Sequence, residues 1–271
     1  MLYTTATAAF FAAIAMMGPL ATAGDTGAAP KLAQVAAPKL AQAVTSPAAT
    51  TPAPAAVVTT TAATGPKLDA VIDALQKTYE GTTSFKGSFQ QKFTYTMLRR
   101  TQESTGTVSF EKPGRMRWDY DKPAEKAFIV DGKALWIVQP SDKVAFVNAC
   151  FQQDGLTASV AFLWGEGRLR EQFTISWFDG VFGEKTDHHL LLLPKDNNSI
   201  FARLILVVDP KTSRVKQSVV VDPAGNVNQF MFKNLVFNSA LAKGSFSYKP
   251  TAGINAQRLP GSCTAPVAGV K

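Results

Sequence analysis

The sequence has few of the residues that build metal, redox or disulfide-rich sites. Only two cysteines and two histidines occur in 271 residues, which argues against a Cys/His zinc module, an iron–sulfur cluster or a scaffold of many disulfides. It also has no G-x-S-x-G elbow, H-E-x-x-H pair or P-loop, so we expect no enzyme activity, cofactor or resident metal. His188 and His189 are adjacent in a strand-like segment and should point to opposite faces, which prevents them from sharing a metal ion.

Long hydrophobic runs are also missing. No apolar run reaches the length of about 18 residues that a membrane-spanning helix requires. The run Ala8–Leu20 is shorter and is followed by Ala21-Thr22-Ala23, a small-x-small cleavage pattern. Although no Lys or Arg precedes this run, we predict a signal peptide over residues 1–23 and an exported protein. No Cys follows the cleavage pattern, so we expect no lipid anchor there.

Residues 24–66 contain mostly Ala, Pro and Thr, with almost no aromatic or charged residues. An eight-residue near-repeat begins at Ala29 and again at Ala37. Such a segment buries too little apolar surface to offset its ordering entropy, so we predict a flexible linker. We therefore predict that the functional domain spans residues 67–254 and that residues 255–271 form a C-terminal tail.

Basic residues exceed acidic residues, 28 against 20, and the formal charge is +8. This excess favours an anionic membrane surface or an acidic partner. No nucleic-acid-binding motif accompanies it, so we expect no nucleic-acid partner.

The domain begins with one helix and continues as strands. A helical apolar stripe lies between Pro66 and Gly81. From Phe85 onward the apolar period changes to two, and regular turn signals divide the chain into about ten or eleven strands, mostly antiparallel. The apolar segment Leu156–Trp164 interrupts this series and predicts a short helix.

One sheet of this size must curl or split, and two helices cannot cover both of its faces. We therefore predict a mainly β fold with some α: an incomplete, half-open antiparallel barrel of about eleven strands, capped by a helical lid. Many of the 18 Phe residues would then line the concave side as the wall of a cavity. Alternatively, they pack into a solid core.

The two cysteines, Cys150 and Cys263, lie far apart in the sequence. In an oxidising compartment outside the cytoplasm such a pair commonly bridges, so we predict a disulfide between them. The bond would tie the tail to the segment that precedes the predicted short helix.

Four motifs follow one another along the domain. In order they are Phe85-x-x-x-Phe89-Gln90-Gln91-Lys92-Phe93; Gly106-x-Val108-x-Phe110-Glu111-Lys112-Pro113-Gly114-Arg115-Met116-Arg117-Trp118-Asp119-Tyr120-x-x-Pro123; Ile129-Val130-Asp131-Gly132-Lys133-x-Leu135-Trp136; and Phe246-Ser247-Tyr248-Lys249-Pro250-x-x-Gly253-Ile254. Together they resemble the outer-membrane lipoprotein carrier protein family, LolA, over most of residues 67–254. The part from Lys112 to Trp136 is the most specific.

The resemblance implies a half-open barrel whose cavity receives the acyl chains of lipoproteins. A carrier of this family takes lipoproteins from an inner-membrane ABC-type lipoprotein-releasing complex and hands them to an outer-membrane lipoprotein acceptor. We therefore expect a monomeric carrier in the periplasm. The alternative is a LolA-like half-barrel that binds or senses other lipids, phospholipid or glycolipid, or serves as a fixed acceptor. The absence of a Cys for lipidation favours the mobile carrier.

The resemblance also suggests site residues. We expect Lys112, which stands where the family usually has an Arg that holds the lid closed, to be the lid latch, although it could instead be an exposed turn lysine. An ammonium group cannot reproduce the fork of a guanidinium, so we expect the latch to be weaker or absent. Met116 stands where the family has a cavity-lining Phe, and its flexible side chain suits varied acyl chains. The predicted lipid-binding residues are Phe89, Phe93, Phe110, Met116, Trp118, Trp136, Phe162 and Leu163.

Overall fold

The computed structural model describes residues 66–151, 168–180, 182–196, 201–260, 262–263 and 270. The predicted signal peptide and the linker up to residue 65 lie outside these residues, as does the predicted short helix with Phe162 and Leu163. Among the helices of the described residues, none has the length and apolar character needed to cross a bilayer.

The described part of the chain contains two helices and twelve strands. The helices are α1 (Leu68–Glu80) and α2 (Leu169–Gln172). The strands are β1 (Ser84–Tyr95), β2 (Arg100–Glu111), β3 (Arg115–Lys122), β4 (Lys126–Asp131), β5 (Leu135–Gln139), β6 (Val144–Asn148), β7 (Phe173–Trp177), β8 (His188–Pro194), β9 (Arg203–Val208), β10 (Val215–Val221), β11 (Val227–Phe237) and β12 (Asn255–Arg258).

All of these strands form one sheet, in the order β12-β6-β5-β4-β3-β2-β1-β11-β10-β9-β8-β7. Neighbouring strands are antiparallel, except that β12 pairs parallel with β6. The two edge strands, β12 and β7, do not pair with each other in the described sheet, which therefore stays open. The predicted mainly β, half-open antiparallel architecture is confirmed, with twelve strands instead of about eleven.

Strand β12 lies inside the segment that was predicted to be a tail. Residues Asn255–Arg258 pair with Val144–Val147, so the sheet extends past the predicted domain boundary at residue 254. The four residues of β12 show no apolar alternation, which is why the sequence pattern gave no sign of a strand. Shortly afterwards Cys263 forms a disulfide with Cys150, with the two Cα atoms 5.9 Å apart.

The sheet has two sides, which we call the inner face and the outer face. Directly paired residues of neighbouring strands point to the same side, so one row of partners shows that the inner face runs continuously across the sheet. The row is Ser104, Gln91, Phe230, Ser218, Leu206 and Leu190. Helix α1 lies on this inner face.

Helix α1 covers the half of the inner face formed by β7–β10, which we call the aliphatic half. Val71, Ile72, Leu75 and Tyr79 form its buried stripe, and the helix ends at Gly81 as the sequence predicted. The cluster around this stripe consists of Leu169, Phe173, Leu190, Leu192, Phe201, Leu204, Leu206, Val208, Val215 and Val220. Close packing of these mainly branched side chains makes this half a solid core.

Candidate functional site

The other half of the inner face is lined mainly by aromatic rings, and we call it the aromatic half. It is formed by β1–β5 and β11, and no residue of α1 or α2 belongs to it. Its members are Phe85, Phe89, Val108, Phe110, Met116, Trp118, Tyr120, Phe128, Val130, Leu135, Ile137, Phe151 and Phe230.

Strand register places these side chains on one face. Phe110 pairs with Met116, which in turn pairs with Val130. In the next row, Trp118 pairs with Val108 on one side and with Phe128 on the other. Successive side chains of a strand point to opposite faces, and paired residues point to the same face. Every second residue of β2, β3 and β4 therefore contributes to the same apolar wall.

Phe89 occupies the centre of this wall. Its ring centroid lies 4.9 Å from the rings of Trp118 and Tyr120, both in edge-to-face arrangements, and 5.9 Å from that of Phe230. Such pairs contribute about 0.5–1.5 kcal/mol beyond the area that they bury. The wall is therefore a connected set of rings held from three strands.

Gly106 makes room for the central ring. A Cβ atom at this position would lie 2.8 Å from Phe89 Cζ and would overlap the carbonyl oxygen of Asp119. Only glycine leaves room here for both the Phe89 ring and the backbone of β3, which explains the glycine at the start of the second sequence motif.

Four predicted site residues come together in the aromatic half: Phe89, Phe110, Met116 and Trp118. A fifth, Phe93, is buried two positions beyond Gln91 on the same side of β1, with its ring centroid 4.5 Å from that of Tyr95. The structure brings the first four residues together, and the contact of all five with lipid remains a prediction. Phe162 and Leu163 lie outside the described residues.

Trp136 lies on the outer face instead. Its ring centroid is 5.0 Å from that of Tyr248, whereas its neighbours Leu135 and Ile137 face inward. The segment Leu135–Val138 is apolar throughout because both faces are buried here, so alternation of polar and apolar residues does not identify the inner face. We correct the prediction accordingly: Trp136 does not line the candidate site.

The sequence prediction also missed several members of the wall. Tyr120 continues the alternation of Met116 and Trp118, a signal that was sufficient to find it. Phe230 joins the wall because β11 pairs with β1, a distant part of the chain, and no local pattern reveals that pairing. Phe128 pairs with Trp118 across the short connection between β3 and β4, so the register of that hairpin could have found it.

Two buried donors interrupt the apolar wall. Gln91 Nε2 donates a hydrogen bond of 2.9 Å to Asn228 Oδ1, which leaves the other amide atom, Asn228 Nδ2, buried with no hydrogen-bond partner among the described residues. The indole Nε1 of Trp118 is in the same situation. Unpaired buried donors are costly, and an acceptor oxygen from a ligand would satisfy them.

A lysine also reaches the wall from its edge. Lys126 pairs with Tyr120, and its Nζ lies 4.3 Å from the centroid of the Tyr120 ring. Burial lowers the pKa of Lys126 and raises the pKa of the Tyr120 hydroxyl. The ammonium group is thus held against an aromatic face as a cation–π contact.

Lys112 binds the end of helix α1. Its Nζ donates hydrogen bonds to the carbonyl oxygens of Tyr79, at 2.9 Å, and Glu80, at 3.0 Å. Carbonyls in the last turn of a helix lack helical partners and attract positive charge, so the ammonium group caps the helix. Lys112 is therefore not a free turn lysine. The predicted lid segment Leu156–Trp164 lies outside the described residues, and the latch to it remains a prediction.

The two histidines point to opposite faces, as predicted. His188 contacts the ring of Trp177, whereas His189 Nε2 lies 2.7 Å from the carbonyl oxygen of Phe182. No group of three His, Cys, Asp or Glu side chains within the described residues could hold a metal ion.

The family model described as "Outer membrane lipoprotein carrier protein LolA" matches residues 80–249, which contain the whole aromatic half. The chain belongs to the LolA family. The match covers the strands β1–β11, the first three sequence motifs and the beginning of the fourth.

Named relatives agree with this family. An outer-membrane lipoprotein carrier protein of Dechloromonas aromatica is 26% identical over 191 residues, which covers 67% of this chain and 85% of the relative. One from Nitrosomonas europaea is 28% identical over 175 residues, covering 63% and 82%. A solved structure of a LolA superfamily protein from the same organism is 12% identical, with a TM-score of 0.36; the match covers 68% of this chain and 99% of that protein.

Proposed function

We propose that this protein is a periplasmic carrier that binds the acyl chains of lipoproteins against the aromatic half and transfers the lipoproteins from the inner to the outer membrane. The observation that carries this proposal is the continuous aromatic wall on the inner face of an open sheet, in a chain of the LolA family. Its partners would be the lipoproteins, an inner-membrane ABC-type lipoprotein-releasing complex and an outer-membrane lipoprotein acceptor.

The chemistry of the wall suits this cargo. Removing one methylene group from water contributes about 0.8 kcal/mol, so a long acyl chain needs an apolar container to cross an aqueous compartment. Aromatic rings impose no directional requirement on an acyl chain, and the flexible thioether of Met116 fills gaps of varied shape. The unpaired donors of Trp118 and Asn228 offer hydrogen bonds to the ester or amide oxygens at the head of an acyl chain.

A carrier needs no catalytic group, and we propose that the protein is not an enzyme. Its task requires binding that is strong enough to shield the chains and reversible enough to release them. A lipid hydrolase would need a nucleophile beside a general base, and the aromatic half offers carbon surface instead.

Export accounts for the remaining sequence features. We propose that residues 1–23 are a signal peptide, that residues 24–66 are a flexible linker and that the mature protein is a monomer in the periplasm. The disulfide between Cys150 and Cys263 supports an oxidising compartment such as the periplasm.

Replacing Trp118 with Glu tests the site. The charge would face the wall, so binding of a fluorescent dipalmitoylated lipopeptide should weaken at least about tenfold, measured by titration of its emission. Trp177→Glu is the matched control, because Trp177 lies at the rim of the aliphatic half and is 39% exposed. It should bind the probe like the wild type.

Because Trp118 is buried, folding must be checked by circular dichroism for each variant. Met116→Gln offers a milder change, since it keeps the length of the side chain and makes the wall polar. Unchanged affinity in both folded variants would refute the proposed site.

The cargo itself separates the proposed function from its alternative. Mass spectrometry of ligands that co-purify with the protein from a periplasmic extract should find triacylated proteins. Free phospholipid or glycolipid in their place would favour the half-barrel that binds or senses other lipids.

A further inference from the structure

The turn between β1 and β2 exposes two large apolar side chains. Met97 is 87% exposed and Leu98 is 72% exposed, the highest values for large apolar residues in the described part of the chain. They are neighbours at the tip of a hairpin, in the turn that follows the end of β1 at Tyr95. Single exposed apolar residues are common, but an adjacent pair at a protruding tip indicates a surface for contact.

Two arginines follow this pair directly. Arg99 and Arg100 are exposed, and neither forms an ion pair with a described residue. No Asp or Glu occurs from residue 93 to residue 102. In the neighbouring turn, the carboxylate of Asp222 accepts hydrogen bonds from the backbone and side-chain amides of Asn226. The tip therefore carries two positive charges that no ion pair with a described residue neutralises.

The tip is also rigidly presented. Strands β1 and β2 pair without interruption from Ser84 with Glu111 to Tyr95 with Arg100. The Thr96 hydroxyl donates a hydrogen bond of 2.6 Å to the carbonyl oxygen of Gly225, which braces the hairpin against the turn between β10 and β11. Because the tip is already ordered, docking would cost little conformational entropy.

Arg99 holds a backbone conformation that favours glycine. Its φ angle is +48°, in the left-handed region where a hairpin turn usually has Gly or Asn. A charged side chain at this position carries a conformational cost, which is consistent with a use for the side chain itself.

These features fit a membrane better than a protein. A stable protein interface buries about 800 Å² on each partner, far more than two side chains provide. A bilayer needs no complementary shape: apolar side chains enter the acyl region, while arginines remain at the phosphate level. The positive charge of the tip selects anionic lipid.

We propose that Met97 and Leu98 insert into the surface of an anionic phospholipid bilayer and that Arg99 and Arg100 bind its phosphate groups. This contact is independent of the acyl-binding wall. Its purpose, to hold the carrier at a membrane during transfer, rests on the proposed function.

Vesicle flotation tests the contact. The full-length mature protein should float with vesicles of phosphatidylcholine and phosphatidylglycerol, bind vesicles of phosphatidylcholine alone more weakly, and dissociate as salt is raised. The double variants Met97→Ser/Leu98→Ser and Arg99→Gln/Arg100→Gln should each bind the anionic vesicles at least about tenfold more weakly. All four side chains are exposed, so folding should not change.

Matched controls alter the same properties elsewhere. Val236→Ser removes an exposed apolar residue of β11, and Lys185→Gln/Lys211→Gln removes two exposed charges; both should float like the wild type. A wild type that does not float, tip variants that float normally, or equal losses in the controls would overturn the proposal. Titration with the lipopeptide probe is read separately, so failure of the acyl-binding site would not be confused with failure of the tip.

Discussion

The aliphatic and aromatic halves of the inner face belong to one sheet and follow the same alternation, yet they are built from different side chains. In the aliphatic half, leucines and valines such as Leu204 and Leu206 pack against the stripe of α1. In the aromatic half, rings such as Phe89 and Trp118 pack mainly against one another. Only the first half has a described helix on it.

This difference in side chains indicates that the aliphatic half is the folding core and that the aromatic half is the wall of the candidate site. Branched aliphatic side chains interlock with a helix and leave one preferred arrangement, which is what a folding core requires. The rings of the aromatic half are joined edge to face, and no described helix packs on them. The many phenylalanines of this chain therefore serve two purposes, and those of the aromatic half form the surface that we assign to acyl chains.

Leu75→Ala should give the largest effect. Leu75 is fully buried at the centre of the stripe, and its truncation leaves a cavity in a close-packed site. We expect the free energy of unfolding in urea to fall by about 2–5 kcal/mol. Affinity for the lipopeptide probe, measured under conditions where the variant is folded, should stay unchanged, since the aliphatic half is core.

Met116→Ala is the counterpart in the aromatic half. It removes apolar surface from the wall, so probe affinity should fall about fivefold. If Leu75→Ala weakened the probe as strongly as Met116→Ala, the division into core and wall would be wrong.

The division was only partly visible in the sequence. Alternation placed Phe89, Met116 and Trp118 on one face because each of these residues lies between polar or small neighbours. It could not place Trp136, whose neighbours on both sides are apolar because the C-terminal residues, including Tyr248, cover the outer face. Such covering comes from a remote part of the chain and leaves no local pattern.

One signal for Trp136 was nevertheless present. In the hairpin that turns at Asp131–Gly132, each residue of β4 points to the same face as its partner in β5. Phe128 of β4 points to the inner face, beside its partner Trp118. Leu135, not Trp136, then shares the face of Phe128 and Val130. Register across a hairpin is thus a better guide than composition where both faces are buried.

Lys112→Met should have an intermediate effect. The change removes charge-assisted hydrogen bonds to the carbonyls of Tyr79 and Glu80 while it keeps an apolar side chain of similar length. We expect a loss of about 1–2 kcal/mol in unfolding free energy and faster hydrogen exchange in the last turn of α1. Lys77→Met removes a charge from the same turn but no hydrogen bond to these two carbonyls, so as the control it should have a clearly smaller effect on both.

The same variant tests the latch. Faster exchange over residues 156–164 of the ligand-free protein would support a role of Lys112 in holding the lid. Exchange that changes only at the end of α1 would restrict its role to capping the helix that covers the aliphatic half.

Two tyrosines provide the smallest and most closely matched contrast. Tyr79, in the aliphatic half, accepts a hydrogen bond of 3.1 Å from the backbone N–H of Val215, whereas Tyr120, in the aromatic half, has no hydrogen-bond partner for its hydroxyl among the described residues. Tyr79→Phe should therefore cost about 1 kcal/mol at neutral pH, because it leaves a buried N–H unpaired, and Tyr120→Phe should cost less.

Both tyrosines should make the free energy of unfolding depend on pH in the same direction. Burial raises the pKa of both hydroxyls above the ordinary tyrosine value, so the unfolded chain loses these protons first. The stabilising contribution is complete below about pH 10 and declines as the pH rises further, and each Phe variant should show a shallower decline of unfolding free energy than the wild type. Urea titrations at neutral and alkaline pH measure both effects. If Tyr120→Phe cost as much as Tyr79→Phe at neutral pH, the hydroxyl in the aromatic half would have a structural hydrogen bond, and that half would be a core as specific as the one under α1.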